Sequence, residues 1–240
     1  MLIKEYNNQS KTVFGIECKK LLYKKKTNYQ EIKIYSSELY GNIMMLDGCF
    51  MVTEYGNDQY HDKCVELCYK KSKELDILII GGGDFGLVKN LFKSIKIKKL
   101  HLVEIDGKVI DISMKYFPDF FNMKKKEKEK IVITIDDGYE WLIKNKEYKF
   151  DVIIVDCTDP NILAKKLYST KFYKSINKSL KKSGFMVQQS GSIILDQKKV
   201  IEPTVSKLKK VGFSNITVNP FHMPIYPLGL WSFIKCKKQS

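Results

Sequence analysis

The sequence of 240 residues contains no arginine, and all 42 of its basic residues are lysine. Arginine is the side chain that contacts guanine edges and stacks on bases, so its absence argues against sequence-specific nucleic-acid recognition. The formal net charge of +15 alone would favour a nucleic-acid partner. However, lysine runs such as 24–26 and 124–126 are typical of solvated loops. We therefore expect no nucleic-acid partner and interpret the lysine excess as a genome-wide codon bias.

Long apolar runs and paired cysteines are absent as well. No hydrophobic stretch approaches the ~20 residues of a membrane span, and the N-terminal residues 1–5 lack the apolar core of a signal sequence. The six cysteines are scattered and form no C-x-x-C pair, which is typical of a reducing compartment. We expect a cytoplasmic protein without membrane association.

A metal site is a weak alternative in the N-terminal third. His61, Cys64 and Cys68 could share one face of a helix, and histidine and cysteine bind zinc. Three ligands without a fourth, on a helix that must bury one face, indicate core packing instead. We predict no metal site.

Two patterns divide the chain. Residues up to about 60 form short β-segments, and Asp47-Gly48 between two apolar runs is a hairpin signal. From about residue 75, continuous apolar strands alternate with helical patterns, which predicts a parallel α/β sheet buried on both faces. We predict strands over 75–80, 100–105, 131–135, 150–155 and 185–189, and helices over 57–70, 87–92, 109–116 and 172–180. The predicted units are an N-terminal β-domain over 1–60 and a catalytic domain over 61–240.

The first of these strands ends in a glycine loop, residues 81–86, with the sequence G-G-G-D-F-G. Glycines let a backbone turn tightly and approach a ligand closely, and an acid about twenty residues on, here Glu104, can bind a ribose diol. Asp84 is unusual because a pyrophosphate-binding loop would not place a carboxylate against its ligand. It favours a nucleoside whose far end is positive. Helix capping by Asp84 and a merely solvated Glu104 are the alternatives.

Acids follow four consecutive predicted strands, and ligands of parallel sheets bind beyond the carboxyl ends of the strands. The sequence therefore predicts an acidic crevice in a basic protein. Asp137-Gly138, after the third strand, would meet an adenine amine, although Asp-Gly is also a common turn.

The fourth strand is followed by Asp156-Cys157-Thr158-Asp159-Pro160, the strongest catalytic candidate. Two acids on one loop can hold an ammonium group and take a proton from it. An amine with a pKa of about 10 is protonated at neutral pH and needs such a base before it can attack carbon. Capping of the following turn is the alternative reading of the two acids.

With these motifs in place, the chain resembles the polyamine aminopropyltransferases, the spermidine synthase family. Residues 81–86 resemble the family's G-G-G-D-G-G, 103–106 its second-strand acid, 137–138 its D-G, 156–160 its D-S-[ST]-D-P, and 226–231 its Y-P-S-G-x-W. Tyr29-Gln30, Tyr40-Gly41-Asn42, Leu46-Asp47-Gly48, Thr53-Glu54 and Tyr60-His61 follow the family's order upstream. The resemblance covers nearly the whole chain.

The resemblance implies a Rossmann-like fold of the class I methyltransferase type, with a mostly parallel sheet and a small N-terminal β-domain. Decarboxylated S-adenosylmethionine would be the co-substrate, with no prosthetic group or metal. Its implied contacts are Gln30, Gly81, Gly83, Asp84, Glu104, Asp137 and Gly138. The implied catalytic residues are Asp156, aided by Tyr60, and the implied substrate contacts are Tyr60, His61, Asp156, Asp159, Gln189, Tyr226 and Trp231.

The implied reaction moves an aminopropyl group to a small diamine, putrescine, giving spermidine and methylthioadenosine. Another acceptor, such as cadaverine, diaminopropane or spermidine, would make it a sister enzyme. A methyltransferase would need to tolerate the methionine carboxylate, which Asp84 opposes. A non-catalytic binding module would not need Asp156. The resemblance also implies a homodimer or homotetramer, formed through the β-domain.

The chain departs from the family pattern at several positions. Phe85 replaces a glycine and is expected to crowd the loop, Met51 stands where glutamine is usual, and Gly191 stands where an acid is common. Residues 161–164 replace a loop resembling x-G-P-A, and the segment 161–166 suits a lid between strand and helix. These changes leave the preferred amine open.

Overall fold

The computed structural model of the chain describes residues 1–7, 10–69, 73–160 and 163–239. The strands over these residues are β1 (Leu2–Asn7), β2 (Thr12–Glu17), β3 (Lys20–Lys26), β4 (Glu31–Ser36), β5 (Asn42–Leu46), β6 (Cys49–Thr53), β7 (Leu75–Gly81), β8 (Ile97–Glu104), β9 (Ile131–Ile135), β10 (Phe150–Asp156), β11 (Leu180–Gln189), β12 (Phe213–His222) and β13 (Leu230–Lys238). The helices are α1 (Asp58–Cys68), α2 (Gly86–Ser94), α3 (Gly107–Tyr116), α4 (Lys125–Lys128), α5 (Gly138–Lys144), α6 (Thr170–Ser179) and α7 (Glu202–Val211). Short 3-10 helices cover Pro118–Phe121, Ala164–Tyr168 and Pro227–Gly229, and a π-helical segment covers Gln197–Ile201.

The N-terminal part is antiparallel. In the described residues, β1 pairs with β2, and β3 to β6 form a four-stranded sheet in chain order. The predicted hairpin is present, because Asp47 and Gly48 join β5 to β6 with φ angles of 48° and 84°, the left-handed backbone that a two-residue hairpin turn requires. One face of this sheet packs against the α/β part of the chain, where Ile32 and Met44 share a buried cluster with Val109 of α3.

The central sheet has seven strands in the described part of the chain, in the order β12-β13-β11-β10-β7-β8-β9. The five strands from β11 to β9 run parallel, whereas β13 pairs antiparallel with both of its neighbours, β11 and β12. Alternate residues of β7 enter different cores, since Ile77 and Ile79 pack in the cluster that contains α1 and α2, and Leu78 and Ile80 in the one that contains α5 and α6. Burial on both faces explains the continuous apolar strands. The α/β prediction is confirmed.

Every strand and helix predicted from the sequence is present, with ends that shift by a few residues. The C-terminal pair β12 and β13 was not predicted. The predicted boundary at residue 60 falls inside α1 and stays a prediction. None of the helices in the described ranges is long and apolar enough to cross a membrane.

An ion network ties the amino ends of three parallel strands together, opposite the edge where ligands are expected. Asp151 of β10 is 3% exposed and accepts from Lys73 at 2.7 Å and from Lys181 at 2.8 Å. Lys181 of β11 also reaches Asp76 of β7 at 2.5 Å. Burial alone would raise the pKa of Asp151, but the hydrogen bonds from Lys181 and Lys73 lower it to about 2.

Candidate active site

A cleft lies at the carboxyl edge of the parallel strands, beneath the N-terminal β-domain. Every site residue predicted from the sequence lines it: Gln30, Tyr60, His61, Gly81, Gly83, Asp84, Glu104, Asp137, Gly138, Asp156, Asp159, Gln189, Tyr226 and Trp231. The N-terminal part supplies further lining residues, among them Glu5, Cys49 and Met51. The predicted residues therefore share one cavity, while their individual roles remain predictions.

The glycine loop packs directly on the carboxylates of the neighbouring strands. A Cβ on Gly81 would lie 2.0 Å from the backbone oxygen of Asp156, and one on Gly83 would lie 2.9 Å from Oε2 of Glu104. The Gly82 N–H donates to the Asp156 carbonyl at 2.9 Å. These glycines let the loop approach its protein neighbours, in addition to any approach to a ligand.

Asp84 accepts a hydrogen bond at the start of α2 and also presents its carboxylate to the cleft, the two roles considered for it. Its Oδ1 accepts the Gly86 N–H at 2.7 Å, in the first turn of α2, and its side chain is still 23% exposed to the cleft. His61 Nε2 lies 4.0 Å from the same oxygen. Burial lowers the pKa of His61 even though Asp84 opposes the shift, so the imidazole is neutral at pH 7. The charge of Asp84 thus faces the cleft without a cationic partner from His61.

Glu104 is buried at the end of β8, and burial raises its pKa to about 7 although the Asp106 N–H, which it accepts at 3.0 Å, acts in the opposite direction. Asp106 caps α3 and also accepts from two residues of the β-domain, Thr27 at 2.8 Å and Gln30 at 3.3 Å. Sequence reasoning missed this role of Asp106, although it lies in the quoted second-strand motif. The contact attaches Gln30 to Asp106, two residues after Glu104, and both Gln30 and Glu104 line the cleft.

Asp137 serves as the N-cap of α5 and accepts from Tyr139 N–H at 2.8 Å and from Glu140 N–H at 3.3 Å. Lys166 Nζ lies 3.7 Å from its other oxygen. Asp137 therefore caps a helix, a structural role different from the plain turn that was the alternative, and its contact with adenine stays a prediction.

Asp156 lies at the end of β10 and accepts a hydrogen bond from the phenol of Tyr60 in α1. Desolvation in the cleft raises the pKa of Asp156 to about 7, with a further contribution from Asp84, while the Tyr60 hydrogen bond lowers it. Desolvation also raises the pKa of Tyr60, so the phenol remains a donor. A carboxylate with a pKa near 7 is suited to accept a proton at neutral pH.

Gln189 organises the loop that carries Asp159. Its amide nitrogen lies 2.7 Å from the Cys157 carbonyl oxygen, 3.2 Å from Asp159 Oδ1 and 3.0 Å from the phenol of Tyr168. Its Oε1 accepts from the Gly191 N–H and the Trp231 indole, each at 3.1 Å. Gln189 is therefore a positioning residue in this structure. Tyr168 was missed because a lone tyrosine after a loop carries no motif.

Desolvation and the charge of Asp196 raise the pKa of Asp159 to about 7. Glu5 of β1 faces the same region, accepts the Phe50 N–H at 2.7 Å, and also has its pKa raised to about 7, chiefly by desolvation. Sequence reasoning missed Glu5, since a single acid in an alternating β-segment resembles any exposed strand residue.

Met51 and Phe85, two of the departures from the family pattern, differ in their relation to the cleft: Met51 lines it and Phe85 does not. The Tyr226 phenol donates to the Met51 carbonyl at 2.8 Å, a contact that uses only the backbone of residue 51. Phe85 is 5% exposed, has φ 69° and stacks on Phe121 at 4.5 Å. Among the described residues, Phe85 is not part of the cleft lining. Its ring packs on Phe121 instead and does not narrow the cleft.

The proposed lid, residues 161–166, lies partly outside the described residues, at positions 161 and 162. Leu163, Ala164 and Lys166 line the cleft. Among the described residues no group of three or more metal-binding side chains is arranged around a common point.

Comparisons with known proteins decide the family. Residues 57–240 match the family model described as spermine/spermidine synthase domain, and residues 1–54 match the one described as spermidine synthase tetramerisation domain. The chain belongs to the spermine/spermidine synthase family. It is accordingly a transferase of the aminopropyltransferase type, as the sequence motifs predicted.

Individual proteins similar to this chain support the same family assignment. The chain is 39% identical to a polyamine aminopropyltransferase of Prochlorococcus marinus strain AS9601 over 96% of this chain and 80% of that protein. It is 36% identical to one of Methanocaldococcus jannaschii over 98% and 79%. A crystal structure of a spermidine synthase in complex with the transition state analogue AdoDATO matches with a TM-score of 0.88, 27% identity, and coverage of 100% of this chain and 80% of that one. The spermidine synthase from Thermotoga maritima matches with a TM-score of 0.86, at the same identity and coverage.

Proposed function

We propose that this chain transfers the aminopropyl group of decarboxylated S-adenosylmethionine to putrescine, giving spermidine and methylthioadenosine. The observation that carries the proposal is the placement of Asp84, Asp156 and Asp159 in one cleft. One carboxylate would bind the ammonium of the aminopropyl group, and the other two would hold the diamine. Glu104 would bind the ribose diol, and Asp137 and Gly138 would meet the adenine.

The chemistry follows from the protonation of the two partners. Asp156 takes a proton from one ammonium of the diamine, with Tyr60 holding the carboxylate in place. The freed amine attacks the propyl carbon next to the sulfonium, the C–S bond breaks, and its electron pair stays on sulfur. Neutral methylthioadenosine leaves, and the new secondary amine carries the positive charge. The protein therefore contributes binding, orientation and one proton acceptor.

The proposal also covers the oligomeric state and the cellular location of the enzyme. A homodimer or homotetramer formed through the N-terminal β-domain is supported by the tetramerisation model that matches residues 1–54. A reducing, cytoplasmic location is supported by the six cysteines, all of which are free thiols.

The test is an activity assay with decarboxylated S-adenosylmethionine and a panel of amines, following methylthioadenosine release. Putrescine should give the highest kcat/KM. Asp156→Asn should slow release by about 100- to 10,000-fold, whereas Asp111→Asn, at an exposed acid paired with Lys108, should not. A different best amine would reassign the chain to a sister specificity. Methyl transfer from S-adenosylmethionine without any aminopropyl transfer would overturn the proposal in favour of a methyltransferase.

A further inference from the structure

Strand β9, at one edge of the central sheet, is apolar and partly exposed. It pairs with β8 in a parallel register without a shift, and in the described part of the chain no strand pairs with its other side. All of its residues, Ile131–Ile135, are β-branched and uncharged, and Val132, Ile133 and Ile135 are 36%, 46% and 54% exposed. Edge strands of soluble proteins are usually protected by lysine, proline or a bulge. β9 contains neither of these residues, so its edge favours pairing with another strand.

The pairing with β8 identifies which backbone groups of β9 face outward. The Lys130 carbonyl accepts the Leu100 N–H at 2.9 Å, and the Asp136 N–H donates to the Glu104 carbonyl at 3.1 Å. Successive residues of a strand direct their backbone groups to opposite sides, so the even-numbered residues of β9 bond to β8. The N–H and C=O groups of the odd-numbered residues, all of them isoleucines, therefore point away from the sheet.

A second copy of the same strand fits this edge in the antiparallel orientation. With Ile133 opposite Ile133 of the other copy, Ile131 lies opposite Ile135, and Val132 lies opposite Thr134. The outward-facing residues then meet only outward-facing residues, so each pair can exchange two N–H···O=C hydrogen bonds. Every such pair is isoleucine against isoleucine, a side chain that packs well across a sheet. The strand is therefore complementary to itself in backbone and in side chains.

The charges at the two ends of β9 agree with the same register. Lys130 precedes the strand and Asp136 follows it, so antiparallel pairing places the lysine of each copy opposite the aspartate of the other. Within the chain, Lys130 has only a long ion pair with Glu74, at 3.8 Å. Asp136 likewise has one with Lys144, at 3.5 Å. A parallel copy in register would place like charges opposite each other, which is destabilising, so the end charges favour the antiparallel copy.

We propose that two copies of this chain pair antiparallel through β9, which joins their central sheets into one continuous sheet across a two-fold axis. The contact is isologous and closed, because both copies use the same edge and that edge is then fully paired. It lies outside residues 1–54, which match the tetramerisation model, and it does not depend on the proposed reaction. Two paired five-residue strands bury less than the roughly 1,200 Å² of a stable specific interface, so the association should be weak and concentration-dependent.

Sedimentation equilibrium of the full chain over a series of concentrations tests the association. Ile133→Lys places two positive charges opposite each other across the two-fold axis and should weaken the β9 contact about tenfold. Ile194→Lys makes the same change at an exposed isoleucine outside the strands and should have no effect. Oligomers formed through the β-domain should persist in both variants, so the difference between the variants isolates β9. Equal association constants for the wild type and both variants would overturn the proposal.

A cysteine cross-link tests the register directly. Paired residues that exchange hydrogen bonds have Cα atoms about 5.5 Å apart, within the range of a disulfide, so Ile133→Cys should form a covalent dimer on oxidation. Thr134→Cys is the matched control, because its counterpart in the other copy is about 7–8 Å away, too far for a disulfide. The wild type, whose cysteines are free thiols, gives the background. Equal cross-linking of the two variants, or none above the background for Ile133→Cys, would overturn the antiparallel pair.

Discussion

The phenol of Tyr60 donates a hydrogen bond to Oδ1 of Asp156, joining the first turn of α1 to the end of β10. Tyr60 is held by its ring contacts with Tyr226 at 6.1 Å and Phe233 at 4.9 Å. The carboxylate is therefore oriented by a donor that is itself fixed by packing.

This pair predicts a specific pH dependence. Asp156 must be ionised to accept a proton, so kcat/KM should rise with pH through the pKa of about 7. Tyr60→Phe removes a hydrogen bond that lowers this pKa, so the acid limb of the profile should move to higher pH. Asp156→Asn should reduce kcat by about 100- to 10,000-fold, the range for loss of a general base. An unshifted limb in Tyr60→Phe would contradict the assigned contact.

Asp84 should determine which donor is accepted. Asp84→Asn keeps an oxygen for the Gly86 N–H, so the start of α2 is preserved. Loss of the charge should raise the KM for decarboxylated S-adenosylmethionine about tenfold. It should also strengthen inhibition by S-adenosylmethionine, whose carboxylate is no longer repelled. Inhibition constants of the two proteins, measured side by side, check this; equal constants would remove Asp84 from donor selection.

Phe85 should stabilise the loop without affecting the donor. Phe85→Gly relieves the left-handed backbone but loses a buried ring, so we expect a net loss of about 2 kcal/mol in the free energy of unfolding. The KM for the donor should not change, because the ring packs on Phe121 outside the cleft. Phe121→Ala is the matched variant that removes the stack and leaves the backbone of residue 85 alone. A large change in donor KM with Phe85→Gly would show that the ring acts on the site.

Asp151 should contribute stability that is lost in acid. Its pKa of about 2 lies below the ordinary value of 3.8, so the contribution is present above pH 4 and disappears as the pH falls towards 2. Asp151→Asn leaves Lys181 and Lys73 without their shared partner and should cost about 3 kcal/mol at pH 7. Urea unfolding at pH 7 and near pH 2.5 tests this: the difference between wild type and variant should shrink in acid. Glu66→Gln, at an exposed pair with Lys63, should behave like the wild type at both pH values.

The fold was predictable because its signals are local. Buried parallel strands such as β7 are apolar on both faces, and the turn at Asp47-Gly48 needs two residues with positive φ. β12 and β13 escaped prediction because polar residues interrupt their apolar pattern, as in Phe213–His222. The pairing of β13 with β11, and of β12 with β13, depends on contacts that are distant in sequence.

The candidate site was predictable where a motif places acids at strand ends. What the sequence could not supply is the set of partners that hold those acids. Tyr168 reaches Gln189 across 21 residues, and Thr27 reaches Asp106 across 79, distances along the chain that no spacing rule covers. The close approach of Gly191 to the Asp196 carboxylate likewise becomes visible only in the folded chain.

The hydrogen bond from the Gly82 N–H to the Asp156 carbonyl joins the glycine loop, residues 81–86, to the residue proposed as the base. A shift of either loop would strain this hydrogen bond, so we expect occupancy of the proposed nucleoside pocket to affect the proposed amine pocket. Such coupling obeys thermodynamic linkage: the factor by which a bound nucleoside alters the affinity for the amine equals the factor by which the amine alters the affinity for the nucleoside. We therefore expect the two proposed substrates to bind with reciprocal cooperativity, which binding titrations of each in the presence of the other would measure.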